Sequence, residues 1–213
     1  MNDRSRSATI LRNTLVVVLF GTMGLSAYIW QSNCEPAIIE LEQAYLTAPP
    51  RPILWNELID QDGDAFIPED LRGKWTYLYM GYRSCPDACP VALAILNRVS
   101  RQLSELDLPE DQQPQFLFLS VDPQRDTPEL LKEYVAFFGT DFIGITGDDA
   151  ELKAVAAQLG GIFFVPEDPK PVSYEVGHSN SVYLINPQGQ LRAILRPPHD
   201  PDMIVRNHLK LAD

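Results

Sequence analysis

The sequence has little positive charge and no internal repeat, and it contains only three cysteines and three histidines. Its 213 residues include 17 Lys and Arg against 29 Asp and Glu, a formal net charge of −12 at pH 7. Because nucleic-acid binding depends on Lys and Arg that neutralise phosphates, we expect no nucleic-acid partner. The composition, with 45% hydrophobic residues, is that of a globular protein and argues against wholesale disorder or a fibrous repeat.

One long apolar run lies near the N-terminus. Residues 14–30, TLVVVLFGTMGLSAYIW, carry no charge and approach the length that spans a hydrocarbon core. Arg4, Arg6 and Arg12 precede the run and acidic residues follow it, so the positive-inside rule places residues 1–13 in the cytoplasm. We therefore predict one transmembrane anchor over residues 14–30, with the remaining chain outside; a cleaved signal peptide is the alternative.

Residues 31–52 are predicted to be a linker between this anchor and a folded domain. A short helical stretch is expected from Ile38 to Tyr45, followed by a stiff spacer at the proline cluster over residues 49–52. The domain is then expected to cover residues 53–213.

Segments typical of strands and helices alternate along residues 53–213. A hairpin is expected over residues 53–67, around an Asp-Gly turn, and a second one over residues 181–195. Further strands are expected over residues 75–82, 116–121, 142–146 and 162–165, and helices over residues 91–103, 128–138, 150–159 and 200–211. This order predicts an α/β fold, a thioredoxin-like mixed sheet with flanking helices.

Two of the three cysteines, Cys85 and Cys89, lie four residues apart between a predicted buried strand and the start of a helix. Backbone N–H groups at a helix N-terminus stabilise the thiolate, which is the form that binds metal. The pair by itself leaves three alternatives open: a metal site, a redox-active pair and a structural disulfide. The third cysteine, Cys34, is expected to lie next to the membrane without a role in the site.

Three blocks of the sequence carry a family pattern. They are GYRSCPDACP at residues 81–90, SVDPQRDTP at residues 120–128, and GHSNS at residues 177–181 with the turn NPQG at residues 186–189. Together they resemble the Sco/SenC family of copper chaperones and redox proteins, and the resemblance extends from Leu54 to Leu209. Family members usually carry Asp immediately before the His, where this chain has Gly177.

The resemblance implies that Cys85, Cys89 and His178 bind copper. Two thiolates and one imidazole suit Cu(I) in a trigonal site, whereas Cu(II) would accept the same set with an added oxygen donor, for which Asp87 is a candidate. Zinc is the chemical rival, but structural zinc sites usually close four protein ligands and no fourth is evident near the pair. The other two histidines, His199 and His208, lie near the C-terminal helix.

Asp122 and Asp126 follow a predicted strand at the same edge of the sheet as the cysteines. They could orient or tune the site. The alternative is structural: Asp122 begins a turn, Arg125 pairs with an acid, and residues 126–127 cap the next helix. Met80, inside the predicted central strand, is expected to belong to the core rather than to the metal site.

The family resemblance implies a copper chaperone that delivers copper to the CuA site of cytochrome c oxidase subunit II, with other copper-handling proteins as further partners. It implies a location in a bacterial plasma membrane or in the mitochondrial inner membrane, and the lack of an Arg- and Ser-rich transit segment before the predicted anchor favours the bacterial one. The C-terminal domain is then expected to face the periplasm or the cell exterior. The alternative is a thiol-disulfide oxidoreductase that uses Cys85 and Cys89 to keep the cysteines of a target reduced. Both roles can coexist in one protein.

Overall fold

A computed structural model describes residues 22, 39–109, 112–166 and 174–212, in which strands and helices alternate. The strands are β1 (Ala44–Pro52), β2 (Leu58–Asp60), β3 (Ala65–Phe66), β4 (Trp75–Gly81), β5 (Pro114–Ser120), β6 (Phe142–Gly147), β7 (Phe163–Phe164), β8 (Gly177–His178), β9 (Val182–Ile185) and β10 (Gln190–Leu195). The α-helices after residue 39 are α1 (Ala88–Ser104), α2 (Pro128–Ala136), α3 (Asp149–Leu159) and α4 (Pro201–Ala212), and a short 3-10 helix covers Pro68–Leu71.

Eight of these strands form one mixed sheet, in the order β1-β10-β9-β4-β5-β6-β2-β3. Strands β4, β5 and β6 run parallel, whereas β9, β10, β1, β2 and β3 join through antiparallel pairs. Strands β7 and β8 form a separate two-stranded sheet. The predicted α/β fold with a thioredoxin-like mixed sheet is therefore confirmed.

Strand β4 lies at the centre of the sheet, between β5 and β9. All seven of its residues are buried, which explains why its sequence lacks the alternation of a half-exposed strand. Met80 is fully buried, as predicted for a core residue. Helix α1 packs on β4 and β5, so the residues that join β4 to α1 connect two well-packed elements.

The helices begin where their capping residues predict. The Thr127 side chain accepts a hydrogen bond from the backbone N–H of Leu130 at the start of α2, and Asp148 accepts one from Glu151 at the start of α3. Helix α3 ends at Leu159 and is followed by Gly160, whose φ of 74° is the left-handed conformation that glycine adopts without strain. Local sequence thus determines these boundaries.

The predicted linker over residues 31–52 is wrong in its second half. Ala44–Pro52 forms β1, which pairs antiparallel with β10, and the helix expected up to Tyr45 is not formed over residues 39–45. Strand β1 lies at an edge of the sheet, where proline is tolerated because an outward-facing residue needs no N–H to donate. The pairing register shifts between Leu46 and Arg51, across the two prolines. The domain therefore begins before the predicted Ile53.

The predicted N-terminal elements lie almost wholly outside the described residues. Apart from Thr22, this holds for residues 1–13, for the predicted anchor over residues 14–30 and for Cys34. Within the described part of the chain, none of the helices has the length and apolar character needed to cross a membrane.

Candidate metal centre

The two cysteines lie on the segment that joins the central strand to the first helix, residues 81–89, which we call the cysteine arm. Cys89 is the second residue of α1 and is fully buried, whereas Cys85 lies in the preceding turn and is half-buried. Gly81 permits this packing, because a Cβ at that position would lie 2.6 Å from the Cys89 Sγ and 2.9 Å from Phe118 Cε2. The Cys89 sulfur therefore rests directly against the backbone of β4.

The two thiols are free and differ in acidity. Burial raises the pKa of the Cys89 thiol. Burial acts in the same direction on Cys85, but hydrogen bonds from the backbone of Asp87, Cys89 and Ala88 outweigh it, and the pKa of Cys85 is lowered. Cys85 is therefore the thiol that ionises first.

The histidine lies on a separate segment, residues 174–180, which we call the histidine arm. His178 belongs to β8, which pairs with β7 through Phe163. Its Nδ1 lies 3.2 Å from the backbone oxygen of Ser179. Since a carbonyl oxygen can only accept, Nδ1 carries the proton and the lone pair is on Nε2, 3.4 Å from the Cys89 Sγ. Burial lowers the pKa of His178, which favours the neutral imidazole that binds metals.

The Ser179 carbonyl is also relevant to the absence of the aspartate that family members usually carry where this chain has Gly177. A metal-binding histidine usually donates its second N–H to an oxygen that fixes the orientation of the ring. In this chain that oxygen comes from the adjacent backbone, and Gly177 is exposed, with only Phe164 Cβ at 4.0 Å from the place where a Cβ would stand. The histidine therefore has an orienting partner without the aspartate.

The structure brings the three predicted ligands together. One donor atom from each of Cys85, Cys89 and His178 can be chosen so that all three lie within 4.8 Å of one another. Among the described residues, no fourth Cys, His, Asp or Glu joins this group, and Asp87 stays outside it. The set has one ligand fewer than the four that usually complete a structural zinc site. Its two thiolates and one imidazole match the preference of Cu(I) for soft ligands and three-coordinate geometry.

A cavity of about 390 Å³ opens onto this group. It is lined by residues of both arms: Tyr82, Cys85, Pro86, Asp87, Ala88, Glu175, Val176, Gly177, His178 and Asn180. Cys89 is fully buried and is absent from the lining. An incoming ion or partner would therefore meet Cys85 and His178 first.

Two tyrosines that the sequence analysis did not single out enclose the imidazole. The rings of Tyr79 and Tyr82 stand edge-on to His178, with centroids 6.0 Å and 5.8 Å from the imidazole. The Tyr79 hydroxyl also donates to Asn180 Oδ1 at 3.3 Å, two residues beyond the histidine. Tyr79 belongs to β4 and Tyr82 to the cysteine arm. No spacing of residues in the sequence indicates that these two rings lie close to His178.

Asp122 and Asp126 lie outside the ligand group and make structural contacts. Asp126 accepts hydrogen bonds from Ser120 Oγ at 2.6 Å and from the backbone N–H of Arg83 at 2.8 Å. Asp122 begins a turn and pairs with Arg125, as the structural alternative predicted. The helix cap is Thr127 alone, so the part of that alternative that assigned a capping role to Asp126 is wrong.

The remaining histidines have partners elsewhere. His199 Nε2 lies 2.8 Å from the backbone oxygen of Asn180, at the far end of the histidine arm. His208 is fully buried, and its Nδ1 lies 2.9 Å from the Tyr77 hydroxyl. Neither joins the ligand group.

Sequence comparison identifies relatives for most of the chain. A sequence model of the SCO1/SenC family matches residues 55–213. A Stutzerimonas stutzeri protein named for copper binding is 33% identical over 198 residues, covering 93% of each chain. The mitochondrial SCO2 protein of Saccharomyces cerevisiae is 43% identical over 134 residues, which are 62% of this chain but 44% of the yeast protein. The chain therefore matches less than half of the yeast relative's length.

Solved structures agree with the sequence matches. The crystal structure of Arabidopsis thaliana ScoI with copper bound has a TM-score of 0.68 and 32% identity, covering 75% of this chain and 98% of that one. Yeast Sco1 with copper bound has a TM-score of 0.69 and 32% identity, with 76% and 89% covered. With three sequence blocks, the sheet order and these matches in agreement, the chain belongs to the SCO1/SenC family.

Proposed function

We propose that this protein is a membrane-anchored copper chaperone that holds one copper ion between Cys85, Cys89 and His178. The observation that carries the proposal is the convergence of two thiol sulfurs and an imidazole nitrogen within 4.8 Å beside an open cavity. Copper-bound structures of two relatives, from Arabidopsis thaliana and yeast, support copper as the ion. Copper is cargo in this proposal and not a permanent cofactor.

The chemistry of the donors favours Cu(I). Thiolates are soft ligands, and two of them with a neutral imidazole give a trigonal set. Binding releases a proton from each thiol, and the lowered pKa of Cys85 makes its proton the easier one to remove. His178 contributes Nε2, whose lone pair is available because Nδ1 holds the proton.

Delivery is proposed to take place at the outer face of a bacterial plasma membrane, with the CuA site of cytochrome c oxidase subunit II as recipient. Support for the recipient comes from the family resemblance, and support for the location comes from the uncharged run over residues 14–30 with arginines before it. An anchor would hold donor and recipient in one membrane plane. A chain that lacks residues 14–30 should then appear in the soluble fraction after cell lysis, whereas the full chain stays with the membranes.

Copper titration of the reduced full chain tests the site. Wild-type protein should retain one Cu(I) per chain against a chromophoric chelator, and the double variant Cys85→Ser, Cys89→Ser should retain none. Cys34→Ser is the matched control, since it removes a thiol outside the proposed site and should bind as wild type does. Equal retention by the double variant and the wild type would remove the basis of the proposal.

A second candidate function is a thiol-disulfide oxidoreductase, and the unequal acidity of the two thiols favours it. Cys85, half-buried with a lowered pKa, would attack a target disulfide and release one target thiolate. Cys89 would then attack the Cys85 sulfur, which closes the Cys85–Cys89 disulfide and releases the second target thiol. The target gains two electrons, the pair loses them, and a dithiol reductant must restore the pair.

His178→Ala distinguishes the two candidates. A copper chaperone loses affinity for Cu(I) when the imidazole is removed, whereas disulfide reduction needs only the thiols. Strong disulfide reductase activity together with Cu(I) affinity that is unchanged in His178→Ala would favour the oxidoreductase. Weak reductase activity with a clear loss of affinity would favour the chaperone.

A further inference from the structure

The second sequence block, residues 120–128, contacts both arms of the site. Asp126 binds the cysteine arm through the backbone of Arg83, and Asp122 reaches the histidine arm through Tyr174. We propose that Asp122, Arg125 and Tyr174 form a unit, here called the tyrosine clamp, that sets the position of His178 relative to the two cysteines. Its importance for copper rests on the function proposed above.

Four contacts join the members of the tyrosine clamp. The Tyr174 hydroxyl donates to Asp122 Oδ1 at 2.6 Å, and Asp122 Oδ2 pairs with Arg125 Nε. Arg125 Nη1 donates to the backbone oxygen of Tyr174 at 3.1 Å, and the guanidinium carbon stands 3.5 Å from the centre of the Tyr174 ring. Tyr174 is therefore held by its hydroxyl, its ring and its backbone together.

The charged members of the tyrosine clamp are withdrawn from water. The Asp122 side chain is 1% exposed and that of Arg125 16%. At such burial, hydrogen bonds and ion pairs are stronger than in water, and a charge left without its partner is costly. The pair therefore persists as a unit that can hold Tyr174 in one place.

Two routes connect the tyrosine clamp to His178. Along the chain, Tyr174 begins the histidine arm, and Gly177, which has no side chain to restrict its backbone, lies directly before the histidine. Through space, the Arg125 guanidinium stands 5.6 Å from the centre of the Tyr82 ring, and that ring stands edge-on to His178. Fixing Tyr174 and Tyr82 together limits where the imidazole can move.

Amide hydrogen exchange of the copper-free full chain tests the tyrosine clamp without depending on metal. Tyr174→Phe removes one hydroxyl and keeps the ring, and Arg125→Lys keeps the charge but loses the planar contact. We expect both to speed exchange across residues 176–179 by roughly tenfold, with the rest of the sheet unchanged. Tyr45→Phe is the matched control, because Tyr45 also stacks with an arginine, Arg196, but lies on β1.

Copper binding by the same variants gives the second readout. Tyr174→Phe and Arg125→Lys should release Cu(I) to a chelator about 10-fold to 100-fold more readily than wild type, the size expected when the partners that orient a ligand are lost. In the Cu(II)-loaded protein, the nitrogen coupling from imidazole in the electron paramagnetic resonance spectrum should weaken in these variants and vanish in His178→Ala. Tyr45→Phe should match wild type in both measurements.

The possible outcomes distinguish a failure of the tyrosine-clamp proposal from a failure of the proposed copper binding. Unchanged exchange over residues 176–179 in both variants would overturn the proposal, whatever the copper result. Faster exchange with copper release as slow as in wild type would also overturn it, since His178 would then hold its position without the unit. A wild-type chain that binds no copper would refute the proposed function, and the exchange measurement would then decide on the tyrosine clamp alone.

Discussion

The cysteine arm and the histidine arm face each other across one site, yet they are held in different ways. The cysteine arm continues a strand whose residues are all buried and leads into a long helix, so main-chain hydrogen bonds and core packing position its sulfurs. The histidine arm contains a strand of two residues, which pairs only with the equally short β7, and side-chain contacts from other elements hold its two ends. The core of the fold positions the cysteine arm, whereas the histidine arm depends on individual side-chain contacts that single substitutions can remove.

The comparison predicts that the two arms contribute unequally to copper affinity, and this is the largest effect we expect. Cys89→Ser should lower Cu(I) affinity by at least about a thousandfold, because a hydroxyl is a poor ligand for a soft ion. His178→Ala should lower it by about a hundredfold, less than Cys89→Ser because both thiolates remain. Chelator competition measures both values, and a loss in His178→Ala as large as in Cys89→Ser would make the arms equivalent.

Acid should weaken the core that supports the cysteine arm. His208 packs against Trp75 and Tyr77 of β4, and burial lowers its pKa from the ordinary 6.5 to about 4. The unfolded chain therefore binds a proton at a higher pH than the folded chain does, and stability falls as pH drops from about 7 towards 4. At 1.36 kcal/mol per pKa unit, the loss from this residue approaches about 3 kcal/mol.

Urea denaturation at pH 7 and at pH 4.5 measures the acid effect. His208→Gln removes the titrating group while keeping an amide that can bind the Tyr77 hydroxyl, and its stability should vary less with pH than that of wild type. A variant whose stability falls just as steeply would assign the acid sensitivity to other groups.

Two glycines allow the same substitution in each arm. Gly81→Ala places a methyl group 2.6 Å from the Cys89 sulfur, and we expect a loss of about 1 to 3 kcal/mol in stability together with weaker copper binding. Gly177→Ala adds the same methyl where the nearest atom is at 4.0 Å, so stability should change little. Thermal unfolding and copper titration of the two variants measure these effects. Equal stability and equal copper binding in Gly81→Ala and Gly177→Ala would contradict the difference proposed between the two arms.

The smallest effect concerns the missing aspartate. Gly177→Asp restores the residue that the family usually carries there, and the exposed position has space for it. A carboxylate beside the imidazole should raise the pKa of His178, and the rise should be small because solvent screens an exposed charge. A nuclear magnetic resonance titration of the copper-free protein measures this shift, and a lower pKa in the variant would contradict the expectation.

The sequence predicted the cysteine arm more completely than the histidine arm, for a physical reason. A buried strand, a turn and an amphipathic helix are local patterns, so the position of Cys89 at a helix start could be inferred from neighbouring residues. The pairing of β8 with β7 and the contact between Asp122 and Tyr174 join residues far apart in the chain, and no local pattern encodes them. The family resemblance supplied His178 but not the contacts that orient it.

The error at β1 has a similar cause. The prolines around residue 50 predict a spacer when only local conformation is considered, because proline cannot donate to a neighbouring strand. Their place at the edge of the sheet, beside β10, removes that objection, and an edge position is a property of the whole topology. The local sequence pattern therefore gave a wrong prediction for residues 44–52, because pairing with a strand far away in the chain determines their structure.

The complete burial of Cys89 has a consequence for the order of events in the proposed copper transfer. A recipient's ligands can approach only from the cavity, where Cys85 and His178 are within reach and Cys89 is not. Ligand exchange in the proposed transfer would then run from the cavity inward, with the imidazole and the Cys85 thiolate replaced before the Cys89 sulfur is released. In the proposed transfer the protein would therefore release the ion only after the recipient has supplied nearly a full set of ligands, and copper would not be free between the two proteins.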